Sequence, residues 1–202
     1  MYSDKMTQAV NKAQNYITAC NQTNNIALTA TEHINKFCGY VNDLDPSGIN
    51  FHRDSVLNNL IIKHYWTKFA EYYPAIESIL NQINSDKKII ENTLYTFGNM
   101  LKEYNNVFDE FEKSDDTSSE HTQQLIVAKN MKLILDNTKT EYTALNKKIE
   151  LVLNIAKQVF DTAVLIAESN YEINIRNNSN VSGIADVDIY ENRYTELRHI
   201  LS

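Results

Sequence analysis

The residues able to do chemistry are few and scattered. Glu196 and His199 stand three apart, the spacing that sets a carboxylate and an imidazole on one helix face, as in di-iron bundles. Such a centre needs a second pair of this kind and two further inward carboxylates, and the chain supplies neither. The pair is therefore read as a solvated terminal face, and no metal site is expected. His64 falls beside an apolar line near Tyr65 and reads as a boundary histidine, while His33, His52 and His121 sit in polar or loop contexts without ligand spacing. No glycine-rich phosphate loop, nucleophile elbow or Cys/His metal spacing is present. The chain is accordingly read as non-enzymatic, with no catalytic residue, no cofactor and no small-molecule substrate assigned.

Cys20 and Cys38 are the only cysteines. If one helix carries both, they lie about 27 Å apart at ~1.5 Å per residue, far beyond disulfide reach. Asp86 and Asn24 fall at core positions, where a buried polar group needs a partner and often fixes helix register. The twelve tyrosines read as residues whose rings pack while their hydroxyls reach water. Asn177 and Asn180 open formal glycosylation sequons in a polar loop, which no secretory signal supports.

What must position these residues is a set of helices. Four glycines and two prolines in 202 residues leave little turn material, which argues for few, long elements and against a many-stranded sheet. A net charge of −7 with scattered lysines and only four arginines counts against nucleic-acid binding, because phosphate affinity comes from clustered cations. No apolar run reaches the ~18 residues of a membrane span. The opening Met-Tyr-Ser-Asp-Lys-Met lacks the apolar stretch of a signal peptide. The expected location is cytoplasmic, or exported without a cleaved signal, with the compartment itself unassigned.

The strongest pattern runs over 62–111. Steps of three and four meet Ile62, Tyr65, Phe69, Tyr72, Ile76, Ile79, Ile83, Asp86, Ile90, Thr93, Phe97, Met100, Tyr104, Val107 and Phe111, a seam of mean repeat ~3.5 that calls for partner helices along its length. Because the seam keeps phase across Pro74, one kinked but continuous helix is expected over 54–113, about 90 Å long. A weaker seam of small and polar residues, including Ala27, Thr31, Ile34, Cys38 and Val41, predicts a single first helix over 4–42, ended by the Pro46-Ser47-Gly48 turn. The polar 114–119 loop leads from a Ser118 or Ser119 cap into a third long helix, whose seam runs from Ala128 through Leu135, Tyr142 and Val152 to Ile166. A short last helix is expected over 186–201, with Tyr190, Tyr194 and Leu197 on one side.

The fold class is thus all-α, an elongated, antiparallel, coiled-coil-like bundle of three long helices plus a short C-terminal one, taken as one domain over 1–202. The first helix is too short to cover the hairpin of the other two. With the 45–48 turn at one end, it starts opposite Thr93 and leaves a bare two-helix tip at about 94–140. Phe97, Leu101, Phe108 and Phe111 with Leu125, Ile126, Leu133 and Ile134 are more apolar side chains than two helices can hide, so they are the candidate partner-binding residues. The expected function is a protein interaction or assembly module that engages a partner, or itself, through that tip. The alternative is a membrane-acting helical protein, such as a component of an α-helical pore-forming toxin. A membrane is the less favoured partner, because the loop beside the tip is acidic.

Overall fold

The computed structural model describes residues 2–22, 25–114, 116–175 and 186–202. It contains five α-helices, α1 (Tyr2–Gln22), α2 (Ile26–Asp43), α3 (Val56–Glu112), α4 (Ser119–Tyr171) and α5 (Val187–Leu201), with a 3₁₀ turn at Pro46–Gly48. The chain is all-α, and no strand occurs among the described residues.

Helix α3 is continuous through both suspect points. Pro74 lies inside it on the exposed side, and Asn84, Ser85 and Asp86 stay helical. Burial of Ile62, Phe69, Ile76, Ile83, Ile90, Phe97 and Tyr104 follows the seam, so packing along the whole line offsets the ~3 kcal/mol that an interior proline costs. The α4 seam is likewise buried at Ala128, Leu135, Tyr142, Ile149, Ala156, Ala163 and Ile166. Ser118 caps α4 through its Oγ, which accepts from the His121 N–H at 3.1 Å. Asp186 caps α5, accepting from the Asp188 N–H at 2.8 Å.

The single first helix is corrected to two. Asn25 is not helical, and its carbonyl and Oδ1 accept from Thr29 and Leu28 at the start of α2. Asparagine favours such caps because its side chain competes with the helical hydrogen bond. The interruption resets the helical phase. The buried line of α2 is Ile26, Ala30, Ile34, Phe37, Val41 and Leu44, while Thr31 is exposed and Cys38 half-buried. Asn24 lies outside the described residues, as do Asn177 and Asn180.

The chain divides into two compact units. Unit 1 joins Met1–Thr29 with Asp86–Lys147, so it holds α1 and the turn between α3 and α4. Its core gathers Met6 and Ala13 of α1 with Phe97, Met100, Leu101, Tyr104, Phe108, Phe111, Ala128, Met131 and Leu135. The Tyr104 hydroxyl donates to the Ala128 carbonyl at 2.8 Å, and burial pushes its pKa up to about 12.

Unit 2 joins Ala30–Ser85 with Lys148–Ser202, and its core is aromatic. Trp66 is fully buried among Phe69, Tyr65 and Tyr190, and Phe69 stacks on Phe160 at 6.0 Å. A helix end leaves its last carbonyls without partners, and at α2 other helices supply them. Tyr194 of α5 donates to the Val41 carbonyl. Lys68 and Tyr65 of α3 donate to those of Asp43 and Leu44 at 2.7 and 2.9 Å. Helix α4 ends at Tyr171. The next residue, Glu172, has a left-handed φ of 56°, and the Ile173 N–H returns to the Ala167 carbonyl at 3.0 Å, satisfying one of the carbonyls at the helix end.

Candidate functional site

The expected uncovered tip is corrected by the register of α1. Ser3 donates to Gln124 at 2.8 Å, Lys12 pairs with Glu103 at 2.5 Å, and Tyr16 reaches the Thr93 carbonyl at 3.4 Å. The chain therefore starts near the α3–α4 turn, and it is Tyr16 rather than Asp4 that lies level with Thr93. Unit 2 shows a displacement of its own. The end of α2 meets Lys68 and Tyr65 rather than the start of α3 at Val56, so the alignment is displaced by roughly a dozen residues, about 18 Å of helix.

The eight candidate residues consequently separate into two groups. Phe97, Leu101, Phe108 and Phe111 are buried inside unit 1. Tyr16 packs edge-on against Phe97 at 5.4 Å, Phe111 lies on His121 at 4.3 Å, and the Lys132 ammonium sits 4.7 Å over the Phe108 ring. These four offer no surface to a partner. Leu125 is partly buried against the same core. Ile126, Leu133 and Ile134 are exposed together with Val127, at 46–60 %. Positions 126, 133 and 134 recur at seven and eight residues and so share one side of α4, with Asn130 between them and Asn137 one turn beyond.

Unit 2 carries a second uncovered face that the seam analysis missed. Val56, Leu57, Leu60 and Ile61, in the first two turns of α3, are 46 to 82 % exposed. Their spacing of one, four and five residues puts them on one side of the helix. The signal was present in the sequence as aliphatics lying just off the Ile62 line, but the displaced alignment assigned that stretch to the covered end. Among them, the buried Asn58 anchors the incoming loop, donating to the Asn50 and Arg53 carbonyls at 2.7 and 2.6 Å.

Comparison with family models, curated proteins and solved structures finds no match. The site is therefore read from its own chemistry.

Most of the titratable groups singled out in the sequence are engaged in the fold or lie at its surface. Glu196 is tied to Arg193 at 2.6 Å, and His199 is exposed in the last turn of α5. His121 is buried under Phe111 and lies 3.4 Å from the Ser114 hydroxyl. Asp86 is buried. Both cysteines are free and half-buried, and burial pushes the Cys20 thiol up, against ready thiolate formation. In unit 2, Tyr65, Tyr190 and Tyr194 are buried with their hydroxyls in hydrogen bonds within the protein, whereas Tyr40, Tyr72, Tyr73 and Tyr171 are half-buried. Tyr65 and Tyr190 share a hydrogen bond, and burial drives the pKa values of Tyr65, Tyr190 and Tyr194 well above the ordinary tyrosine value. Tyr65 and Tyr194 act as neutral donors to the end of α2, with Tyr190 hydrogen-bonded to Tyr65 behind them, a role that their helical spacing does not reveal.

Proposed function

We propose that this chain is a non-enzymatic interaction or assembly module, which engages a protein partner or further copies of itself through the aliphatic faces left open on its two units. The observation that carries the reading is the pairing of Leu133 and Ile134 with Ile126 and Val127 on an open side of α4. Scattered exposed aliphatics are ordinary, whereas contiguous ones that leave several kcal/mol of burial unrealised are the usual mark of a contact surface. The face at the start of α3 gives the chain a second such contact, and two separate contacts on one chain suit assembly better than capture of one small ligand.

Light scattering and native-host pull-down with Leu133→Asp/Ile134→Asp and with Val56→Asp/Leu60→Asp test this reading. All four positions are exposed, so the variants keep their helical circular dichroism. The expected result is a reduced assembly mass, or loss of a captured protein, in at least one pair. Folded variants with wild-type mass and wild-type capture would overturn the reading.

One observation favours the membrane-acting alternative. After the apolar face at the start of α3, the same side continues into Lys63, His64 and Lys68, and no acidic residue occurs over 56–70. Apolar side chains followed by cations suit a lie-on contact with an anionic lipid surface. No helix among the described residues is long and apolar enough to cross a membrane, so this reading involves surface attachment first. Co-sedimentation with phosphatidylserine-containing vesicles, abolished by Val56→Asp/Leu60→Asp, is its expected signature. Absence of binding to both neutral and anionic vesicles would remove it.

A further inference from the structure

We propose that His52, Asp188 and Glu191 form a site for a divalent transition-metal ion of the zinc type, linking the loop before α3 to the first turns of α5. His52 Nε2 lies 2.9 Å from Asp188 Oδ1 and 4.0 Å from Glu191 Oε2, and the three ligand atoms all fall within 4.8 Å of one another. A tetrahedral ion with bonds of about 2.0 Å holds its ligands about 3.3 Å apart. The observed separations bracket that value, so small side-chain rotations bring all three atoms onto one centre. The fourth position faces solvent and takes water.

The two carboxylates converge on a single imidazole, which leaves acceptor charge that one histidine does not balance. The arginines of α5 are engaged elsewhere, Arg193 on Glu196 and Arg198 on Asp45. The positive end of the α5 dipole works against a cation there, but a carboxylate at position 188 and another one turn on outweigh it. The imidazole sets the metal class, because nitrogen with carboxylate suits zinc and its neighbours, whereas calcium and magnesium prefer oxygen alone.

The ligands are also held before any ion arrives. The His52 backbone N–H donates to Asn50 Oδ1 at 3.2 Å, and Asp188 N–H is fixed by the Asp186 cap. Glu191 follows Tyr190, which is buried and hydrogen-bonded to Tyr65 of α3. Two backbone segments are thus set opposite one another by contacts that do not involve the metal. The site was hidden in the sequence because its histidine and its carboxylates come from distant parts of the chain.

Zinc titration of the untagged, chelator-treated full chain, followed by calorimetry, tests the site, with calcium as the control ion. The expected result is one zinc per chain at micromolar affinity and a thermal midpoint raised by zinc. His52→Ala should weaken binding at least tenfold and abolish that rise, and Glu191→Gln should weaken it several-fold. All three side chains lie at the surface, and circular dichroism confirms that the variants fold. Absence of zinc binding overturns the proposal. So does binding of equal affinity in His52→Ala, which would locate the ion elsewhere, or calcium binding as tight as zinc, which would reduce the site to its two carboxylates.

Discussion

Unit 1 and unit 2 share the two longest helices but are held together differently. In unit 1 a third helix lies along the α3–α4 hairpin and, among the described residues, contributes Met6 and Ala13 to the fully buried core, with Ala9, Val10, Tyr16 and Ile17 partly buried against it. In unit 2 the covering helices bring Phe37, Tyr190 and Tyr194 against Trp66, Phe69 and Phe160. Aromatic rings bury more area per side chain and prefer particular geometries. The same seam therefore yields a lightly covered hairpin at one place and a polar-anchored aromatic core at the other. What decides is the helix laid over the seam, not the seam itself.

Alkaline titration gives the largest effect, with three strongly shifted tyrosines in unit 2 against Tyr16 and Tyr104, each pushed by burial to about 12, in unit 1. Burial raises the pKa values of Tyr65, Tyr190 and Tyr194, so the folded state favours their neutral form. Their contribution is fully present below the ordinary tyrosine pKa near 10 and is lost as pH rises from there toward the folded values. Each such tyrosine removes about 1.4 kcal/mol per pH unit in that window. Unfolding followed by the emission of Trp66, the sole tryptophan, should show unit 2 weakening steeply above pH 10. A flat profile to pH 11.5 would mean that the hydroxyls are not buried as described.

Core truncation comes next. Phe69→Ala should cost unit 2 ~3–5 kcal/mol, and Met6→Ala should cost unit 1 ~2 kcal/mol. Denaturant melts read by Trp66 emission and by far-ultraviolet circular dichroism separate the two. If Met6→Ala moves the Trp66 midpoint as far as Phe69→Ala does, the units melt as one block and the contrast is architectural only.

Smaller changes test the anchoring itself. Tyr65→Phe leaves the Leu44 carbonyl and the Tyr190 hydroxyl short of a partner and should cost ~1–3 kcal/mol. Tyr104→Phe, which frees one carbonyl in unit 1, should cost ~1 kcal/mol. Equal costs would erase the distinction between the two cores. Glu172→Gly relieves a left-handed residue at the end of α4 and should stabilise unit 2 by ~0.5–1 kcal/mol in the same melts. A loss would show that the glutamate side chain contributes more than its backbone strain costs.

Local features of the fold were legible because they leave a periodic or chemical trace. The Ile62–Phe111 line, continuity across Pro74, a cap at Ser118 or Ser119 and a short last helix from about 186 all follow from spacing and residue type. Alignment between helices leaves no such trace. The length argument tied the 45–48 turn to the first residues of α3, whereas Tyr65 and Lys68 receive the end of α2. That displacement concealed the open face at Val56, and the register of α1 moved Phe97, Leu101, Phe108 and Phe111 from surface to core. Ile126, Leu133 and Ile134, expected as apolar surplus that two helices cannot hide, are exposed, because they lie off the α4 seam. The helix start at Asn25 is hidden because its neighbour Asn24 falls on the seam and looks like a register device rather than the mark of a break.

The division of the chain carries a consequence for its birth on the ribosome. Unit 1 is complete once Lys147 has emerged, whereas unit 2 draws on 30–85 and again on 148–202. Domains generally fold as their segments are synthesised, so the hairpin closes first. Trp66 and its neighbours then wait, half-wrapped, for the last helix to arrive. The aromatic half of the molecule is the part for which a chaperone has the longest opportunity.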